Sequence, residues 1–282
     1  KRHPKRFHDV GIAEEHAAIF AAGMATQGMK PFLAIYSTFM QRAYDMIIHD
    51  IALQNLNVAL CMDRAGLSGD DGPTHHGLFD IAYLRPVPGL IQMQPKDEAE
   101  FVDMLWTIAH YEGPAAIRYP RGAGTGASTD QKPRLLEIGK SEVLRHGTDA
   151  AIFALGNMCE LALPAAEELE KQGISTAVIN ARWIKPLDTT TLEFFAGGCN
   201  VICTMEDHVL HNGFGSAVIE HLSDRGLTTP VVRIGWPDQF IEHGTVPILR
   251  EKHGLTVEAT VKKIRDALAG VATPTLNTVS AA

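Results

Sequence analysis

The chain has 282 residues, 45% hydrophobic and 21% charged, which excludes a disordered polymer and leaves room for one large or two ordinary domains. A formal net charge of −8 argues against nucleic acid as the main partner, while leaving room for a local basic pocket that takes a small anion. No apolar run is long enough to span a bilayer, and Cys61, Cys159, Cys199 and Cys203 form no CxxC pair, as expected of reduced, buried thiols in a cytosolic protein.

The first stretch, "KRHPKRFHDVGIAEEH", is basic but lacks the apolar core of a secretory signal, and it reads as a chain entered mid-domain. The alanine-rich "EEHAAIFAAGMATQGM" predicts a helix closed at Gly28. "KPFLAIYS" predicts a short strand, and "TFMQRAYDMIIHDIALQN" after it has helical periodicity. "NVALCMD" is continuously apolar, as in a strand covered on both faces, and "LIQMQ" is a second short strand. "KDEAEFVDMLWTIAHYE" is an amphipathic helix with an acidic first turn, and "GPAAIRYP" ends this half as a strand. "RGAGTGASTDQKPR" has the composition of a linker. The alternation then restarts with strands "DAAIFALG", "STAVINAR", "NVICTMED" and "PVVRIGWPD". Their helices are "ELALPAAEELEKQG", "DTTTLEFFAGG", "GFGSAVIEHLSDRG" and "TVEATVKKIRDALAG". Cys199 and Cys203 fall in one strand-like run, roughly 13 Å apart and too distant for a disulfide. The result is an α/β protein of two tandem parallel-sheet domains, followed by a tail that lacks a core pattern and is expected to fray.

"SGDDGPTHHG", Ser68 to Gly77, follows the "NVALCMD" strand, and loops at the carboxyl ends of parallel strands are where open α/β sheets bind ligands. The adjacent His75 and His76 would point to opposite faces of an extended segment, so a metal site is not expected there. No Walker loop is present, and "GFGSAV" lacks the full dinucleotide pattern, with helix packing explaining it at least as well. Glu14 opens the first helix, where compensation of the helix dipole is explanation enough on pattern alone. Tyr36 and Phe39 flank a strand-to-helix turn and read as aromatic packing. Arg42, one helical turn on, calls for an anionic partner. "RYPRG" sets Arg118 and Arg121 at a strand end, where two arginines suit a phosphate or carboxylate.

"DVGIAEEHA", "AIYSTFMQRAYDMIIHDIA", "DRAGLSGDDGPTHHGLFDIAYLR" and "AIRYPRG" closely resemble the 1-deoxy-D-xylulose-5-phosphate synthase family, thiamine-diphosphate enzymes of the transketolase superfamily. "ARWIKPLD" and "GFGSAV" resemble the C-terminal domain of the same family, and the similarity runs to about Gly270. This resemblance implies a pyrimidine-binding domain over 1–122, a linker over 123–138, a transketolase C-terminal domain over 139–271 and a tail over 272–282. The implied reaction decarboxylates pyruvate and joins the two-carbon unit to D-glyceraldehyde 3-phosphate, the first step of non-mevalonate isoprenoid synthesis. Carried over residue by residue, Glu14 is the cofactor-activating carboxylate and Phe39 stacks on the aminopyrimidine. Tyr36 lies beside cofactor and substrate. Arg42 and Arg121 bind the acceptor phosphate, while Asp71 and His75 belong to the catalytic loop over the substrates. Asp70 adds only solvated charge, and His76 is peripheral.

The family also binds the cofactor diphosphate through Mg²⁺ on a preceding α/β domain, marked by Gly-Asp-Gly and a later Asn. That signature is not found here, since "GDDG" lies inside the loop already assigned. The resemblance therefore implies a pyrimidine domain that lacks its first strand, weak cofactor binding and no activity by this stretch alone. It also implies an N-terminal half as partner, a homodimer, and a bacterial cytoplasm or a plant plastid stroma. Two other readings compete. The β subunit of a 2-oxo acid dehydrogenase has the same two-domain layout, but paired arginines suit a phosphorylated acceptor better than a lipoyl arm. A non-catalytic assembly module would have no use for Glu14, Phe39, Arg42, Asp71, His75 and Arg121 together.

Overall fold

The computed structural model describes residues 3–272. The fraying expected of the 272–282 tail therefore concerns residues outside those described, apart from Ala272, which ends the last helix.

The first half runs α1 (Glu14–Thr26), β1 (Phe32–Tyr36), α2 (Ser37–Met40), α3 (Tyr44–Met46), β2 (Ala59–Asp63), α4 (Asp80–Leu84), β3 (Ile91–Met93), α5 (Glu98–His110) and β4 (Ala115–Arg118). The second half runs β5 (Glu142–Arg145), β6 (Ala150–Ala154), α6 (Cys159–Glu170), β7 (Thr176–Asn180), β8 (Trp183–Lys185), α7 (Thr189–Gly198), β9 (Val201–Val209), α8 (Phe214–Asp224), β10 (Val231–Trp236), α9 (Val246–His253) and α10 (Val257–Ala272). Two sheets result, ordered β1-β2-β4-β3-β8 and β10-β9-β6-β7-β5. Each is parallel except at one edge, where β8 and β5 run antiparallel to their neighbours. The α/β class and the two-sheet layout are those that the alternation of elements predicts.

Local causes are visible in the sequence. β2 is buried up to Asp63, which accounts for its unbroken apolar run; β4 and β9 are buried throughout although they carry Arg118 and Thr204, Glu206, Asp207 and His208. α1 buries Ala17, Ala18, Ala21, Ala22 and Ala25, small residues on one face, and the chain leaves it through Gly28 at φ +77°. Asp97 caps α5 by accepting from Glu100 N at 2.8 Å, and Asp188 caps α7 by accepting from Thr191 N at 3.1 Å.

Three features depart from the sequence reading. The single helix expected after β1 is wound irregularly: α2, a 3-10 turn over Gln41–Ala43, α3, then a π-helical stretch over Ile47–Ala52. Tightening and widening in turn keeps Met40, Ala43, Ile47 and Ile51 buried together in one core. Cys199 is not in a strand but follows α7 as its cap, while Cys203 lies within β9; all four thiols are free and buried. Finally, β8 comes from beyond the linker yet pairs with β3, so the second half completes the first sheet. The exchange is mutual, because Leu67 and Leu78 of the first half lie in the core of the second sheet.

Candidate active site

β1 and β2 are parallel and in register, with Tyr36 opposite Asp63, so both strands deliver their last residues to one edge. Tyr36 ends β1, Phe39 follows in α2 and Arg42 in the 3-10 turn. Asp63 ends β2, and Arg64 leaves it at φ +57°. The chain then makes a loop whose two ends are pinned together. Gly66 N donates to Gly77 O, and Gly77 N donates to Gly66 O, both at 2.8 Å. Gly77 has to be glycine: a Cβ there would stand 2.3 Å from Arg64 O and 2.6 Å from Ser37 Oγ. Ser68 to His76 hang from this neck. β4 brings Arg121 to the same edge three residues beyond its end.

The side chains form one continuous series of contacts. Glu14 opens α1 with its side chain 8% exposed, and its Oε1 accepts from Arg42 Nη1 at 3.0 Å. The Arg42 guanidinium lies 5.1 Å from the centre of the Phe39 ring. Phe39 stacks on Tyr36 at 5.4 Å and meets His75 edge-on at 5.2 Å. On Tyr36 sits a second guanidinium, that of Arg64, 3.8 Å from the ring centre. Arg64 bonds Asp63 Oδ2 through Nη1 at 2.5 Å and Asp71 Oδ2 through Nε at 3.2 Å. The other Asp71 oxygen pairs with Arg121 Nη1 at 3.0 Å, and Arg121 also donates to Ser68 O at 3.4 Å. His75 Nδ1 lies 2.9 Å from the Thr74 hydroxyl. Burial alone would lower the Arg64 pKa, but its bond to Asp71 and the nearby Asp63 charge outweigh that, and the net shift is upward.

All seven residues singled out from the sequence, Glu14, Tyr36, Phe39, Arg42, Asp71, His75 and Arg121, thus lie in one cluster. Arg64 joins them and was missed. Its signal was available: "DR" stands at the carboxyl end of a buried strand, immediately before the polar loop. Three guanidiniums face three carboxylates here, so the group is balanced in charge and rich in donors suited to oxyanions.

Two expectations fail. Arg118 does not serve an external anion: it is fully buried and forks onto Asp80, Nε to Oδ2 at 2.7 Å and Nη2 to Oδ1 at 3.0 Å. Its remaining donors go to Gln94 Oε1, Gly77 O and Asp207 O. His76 is not peripheral. It is 3% exposed, its Nδ1 accepts from Ser68 N at 3.2 Å, and its Nε2 donates to Glu242 O at 3.2 Å. The loop is turned rather than extended here, so the argument from alternating faces does not apply. Burial lowers the His76 pKa, although the bond to Glu242 O works against the shift. Asp70 is exposed, as expected.

Residues 1–125 match the family described as transketolase, pyrimidine binding domain, and residues 139–260 match transketolase, C-terminal domain. The 1-deoxy-D-xylulose-5-phosphate synthase of Methylacidiphilum infernorum is 61% identical over 260 residues, which are 92% of this chain and 41% of that protein. The synthase of Acidobacterium capsulatum is 58% identical over 262 residues, 93% of this chain and 42% of that protein. The chain therefore spans about two fifths of the length of these curated relatives. Among solved structures, a split-gene transketolase described as an inactive β4 tetramer superposes with a TM-score of 0.86 at 34% identity, covering 95% of this chain and 86% of that one. Transketolase from Campylobacter jejuni superposes with a TM-score of 0.71 at 18% identity, covering 91% of this chain and 39% of that one, a likeness of fold alone.

Proposed function

This chain belongs to the transketolase family, and from that premise we propose that it supplies the pyrimidine-side half of an active site that condenses pyruvate with D-glyceraldehyde 3-phosphate. The product is 1-deoxy-D-xylulose 5-phosphate, with loss of CO₂. The observation that carries this reading is the contact series from Glu14 to Arg121, which joins a buried carboxylate, an aromatic platform and three arginines at one sheet edge. Relatives at 61% and 58% identity that bear the synthase's name support the choice of reaction. No feature of the site favours a 2-oxo acid dehydrogenase subunit or a non-catalytic module.

The residues fit the aminopyrimidine end of thiamine diphosphate. A carboxylate that is almost fully buried at a helix N-terminus, linked through Arg42 to a stacked aromatic pair, offers a ring nitrogen a partner and a ring face a platform. For the diphosphate end, no group of three or more metal-capable side chains occurs among the described residues. We place its Mg²⁺ and diphosphate contacts on a diphosphate-binding half outside the stretch described here. When bound, the cofactor supplies the thiazolium carbon that takes up the charge released by decarboxylation. With the cofactor bound, Glu14 would face the pyrimidine ring nitrogen and could share a proton with it, and Phe39 would fix the ring plane. Arg42, Arg64 and Arg121 now face Glu14, Asp63 and Asp71; a phosphate dianion competes for those guanidiniums. Asp71 and His75 approach the donor and acceptor groups, and Tyr36 lines their path. The working assembly in this reading is a homodimer in the cytoplasm, completed by the N-terminal half.

Restoring a diphosphate-binding N-terminal half should give product that depends on glyceraldehyde 3-phosphate. Glu14→Gln should then lower the rate by about 10²- to 10⁴-fold with the circular dichroism unchanged, the range for loss of an acid–base group. Unchanged turnover in Glu14→Gln would remove Glu14 from the mechanism.

A further inference from the structure

The loop that carries Asp71 and His75 belongs to the first half of the chain, yet the second half braces it at both neck and tip. At its neck, Leu67 N donates to Asp207 Oδ1 at 3.1 Å, and Leu67 and Leu78 are buried in the second domain's core. Val209 N donates to Leu78 O at 3.1 Å. Along the loop, His243 Nε2 donates to Asp70 O at 2.9 Å, and His76 Nε2 donates to Glu242 O. The turn at Gly69 leans on the same segment: a Cβ there would lie 3.0 Å from Val246 Cγ2 and 3.3 Å from Gly244 O. Asp207 also accepts from Trp236 Nε1 at 2.7 Å, at the end of β10 and just before the segment that carries Glu242 and His243. One carboxylate thus ties the neck of the loop to the root of the segment that braces its tip.

We propose that the C-terminal domain is a working part of the acceptor site, with Asp207, His243 and the His76–Glu242 link acting as positioning elements that fix Asp71 and His75. This rests on the reading of Ser68 to Gly77 as a substrate loop. Each contact is to backbone or to a residue adjoining the one fixed. His243 holds the carbonyl of Asp70, one residue from Asp71. His76 adjoins His75 and closes the loop on itself through Ser68 N. Asp71 in turn aligns Arg64 and Arg121. Loosening this brace spreads the arginine pair and weakens the hold on the phosphate of the acceptor, whereas pyruvate has no phosphate to lose.

His243 is exposed, so His243→Ala leaves the core intact and serves as the principal test. In this chain alone, hydrogen exchange of the 68–77 amides should speed up by about five- to tenfold, the factor for one lost hydrogen bond, with the strands of both sheets unchanged. In the completed enzyme, the KM for glyceraldehyde 3-phosphate should rise by a similar factor and that for pyruvate by clearly less. His243→Gln, whose side-chain amide can donate to Asp70 O, should restore both readings. His76→Asn, which keeps an acceptor for Ser68 N but cannot reach Glu242 O, should reproduce His243→Ala. Unchanged loop exchange in both His243→Ala and His76→Asn overturns the proposal, as does an equal rise in both KM values. If the unsubstituted enzyme makes no product that depends on glyceraldehyde 3-phosphate, the functional reading fails instead, and the exchange measurement still decides whether the second domain holds the loop.

Discussion

Arg118 and Arg121 stand three residues apart in "RYPRG" and do opposite work. Arg118 is fully buried with every described donor committed to Asp80, Gln94, Gly77 and Asp207. Arg121 has 42% of its side chain exposed and rests on Asp71 and Ser68 O. The first joins the end of β4 to Asp207 of the other domain; the second stays open to solvent. Arginine's planar fork suits both tasks, and only the surroundings separate them. A buried guanidinium needs all its partners from the protein, whereas an exposed one can exchange a carboxylate for a ligand.

The largest effect should come from breaking the buried pair. Arg118→Met leaves Asp80, itself fully buried, without its counter-charge, and such a loss destabilises by about 3–5 kcal/mol. Urea titration of the variant should show the midpoint falling accordingly. A change below about 1 kcal/mol would mean that water or a neighbour compensates and that the contrast between the two arginines is overstated.

Arg121→Ala should act in the opposite register. Stability should hardly move, because the ion pair with Asp71 is partly exposed on both sides. In the completed enzyme the KM for the phosphorylated acceptor should rise by about ten- to a hundredfold, the size of one charge-assisted contact, and the KM for pyruvate much less. A fall in stability comparable to that of Arg118→Met would erase the distinction between them.

That distinction marks the limit of what could be read from the letters. "NVALCMD" read correctly as a buried strand because a continuous apolar run reflects two covered faces, and the loop after β2 read as special because polar residues seldom crowd the end of such a strand. Resemblance to a family picked out Glu14 and Phe39, which pattern alone left as helix-dipole compensation and aromatic packing. What stayed hidden depends on contacts remote in sequence. Nothing local in "WIK" tells that β8 crosses to pair with β3, or that Asp207 waits beneath Gly66, where a Cβ would stand 2.4 Å from its Oδ2. Arg64 belongs to the cluster through its bond to Asp71, seven residues on, and that contact is set by how the loop folds back rather than by the local pattern. His76 was misjudged because an extended geometry was assumed for a loop that turns through Gly69, Gly72 and Gly77.

The smallest effect concerns charge buried without any ligand to meet, at the same interface as Arg118. Glu206 is fully buried; desolvation raises its pKa to about 7, against the pull of the Gly215 and Phe214 N–H groups and of Arg118 and Arg233. His208, two residues on, is pushed down to about 4, again chiefly by burial, and its neutral ring accepts from Ala82 N and donates to Val209 O. The two act with opposite sign. The stability that Glu206 contributes is complete below about 4.5 and is lost as pH rises through 7. The stability that His208 contributes is complete above 6.5 and is lost as pH falls through 4. Between pH 5 and 6.5 the slopes oppose each other, so the urea midpoint of the unsubstituted chain should change little. Glu206→Gln removes one slope and leaves the other, and its stability should rise with pH over that interval by roughly 1–2 kcal/mol more than that of the parent. If both proteins respond to pH alike, Glu206 does not take up a proton in this range, and the two N–H groups at the start of α8 keep its carboxylate charged as firmly as an arginine would.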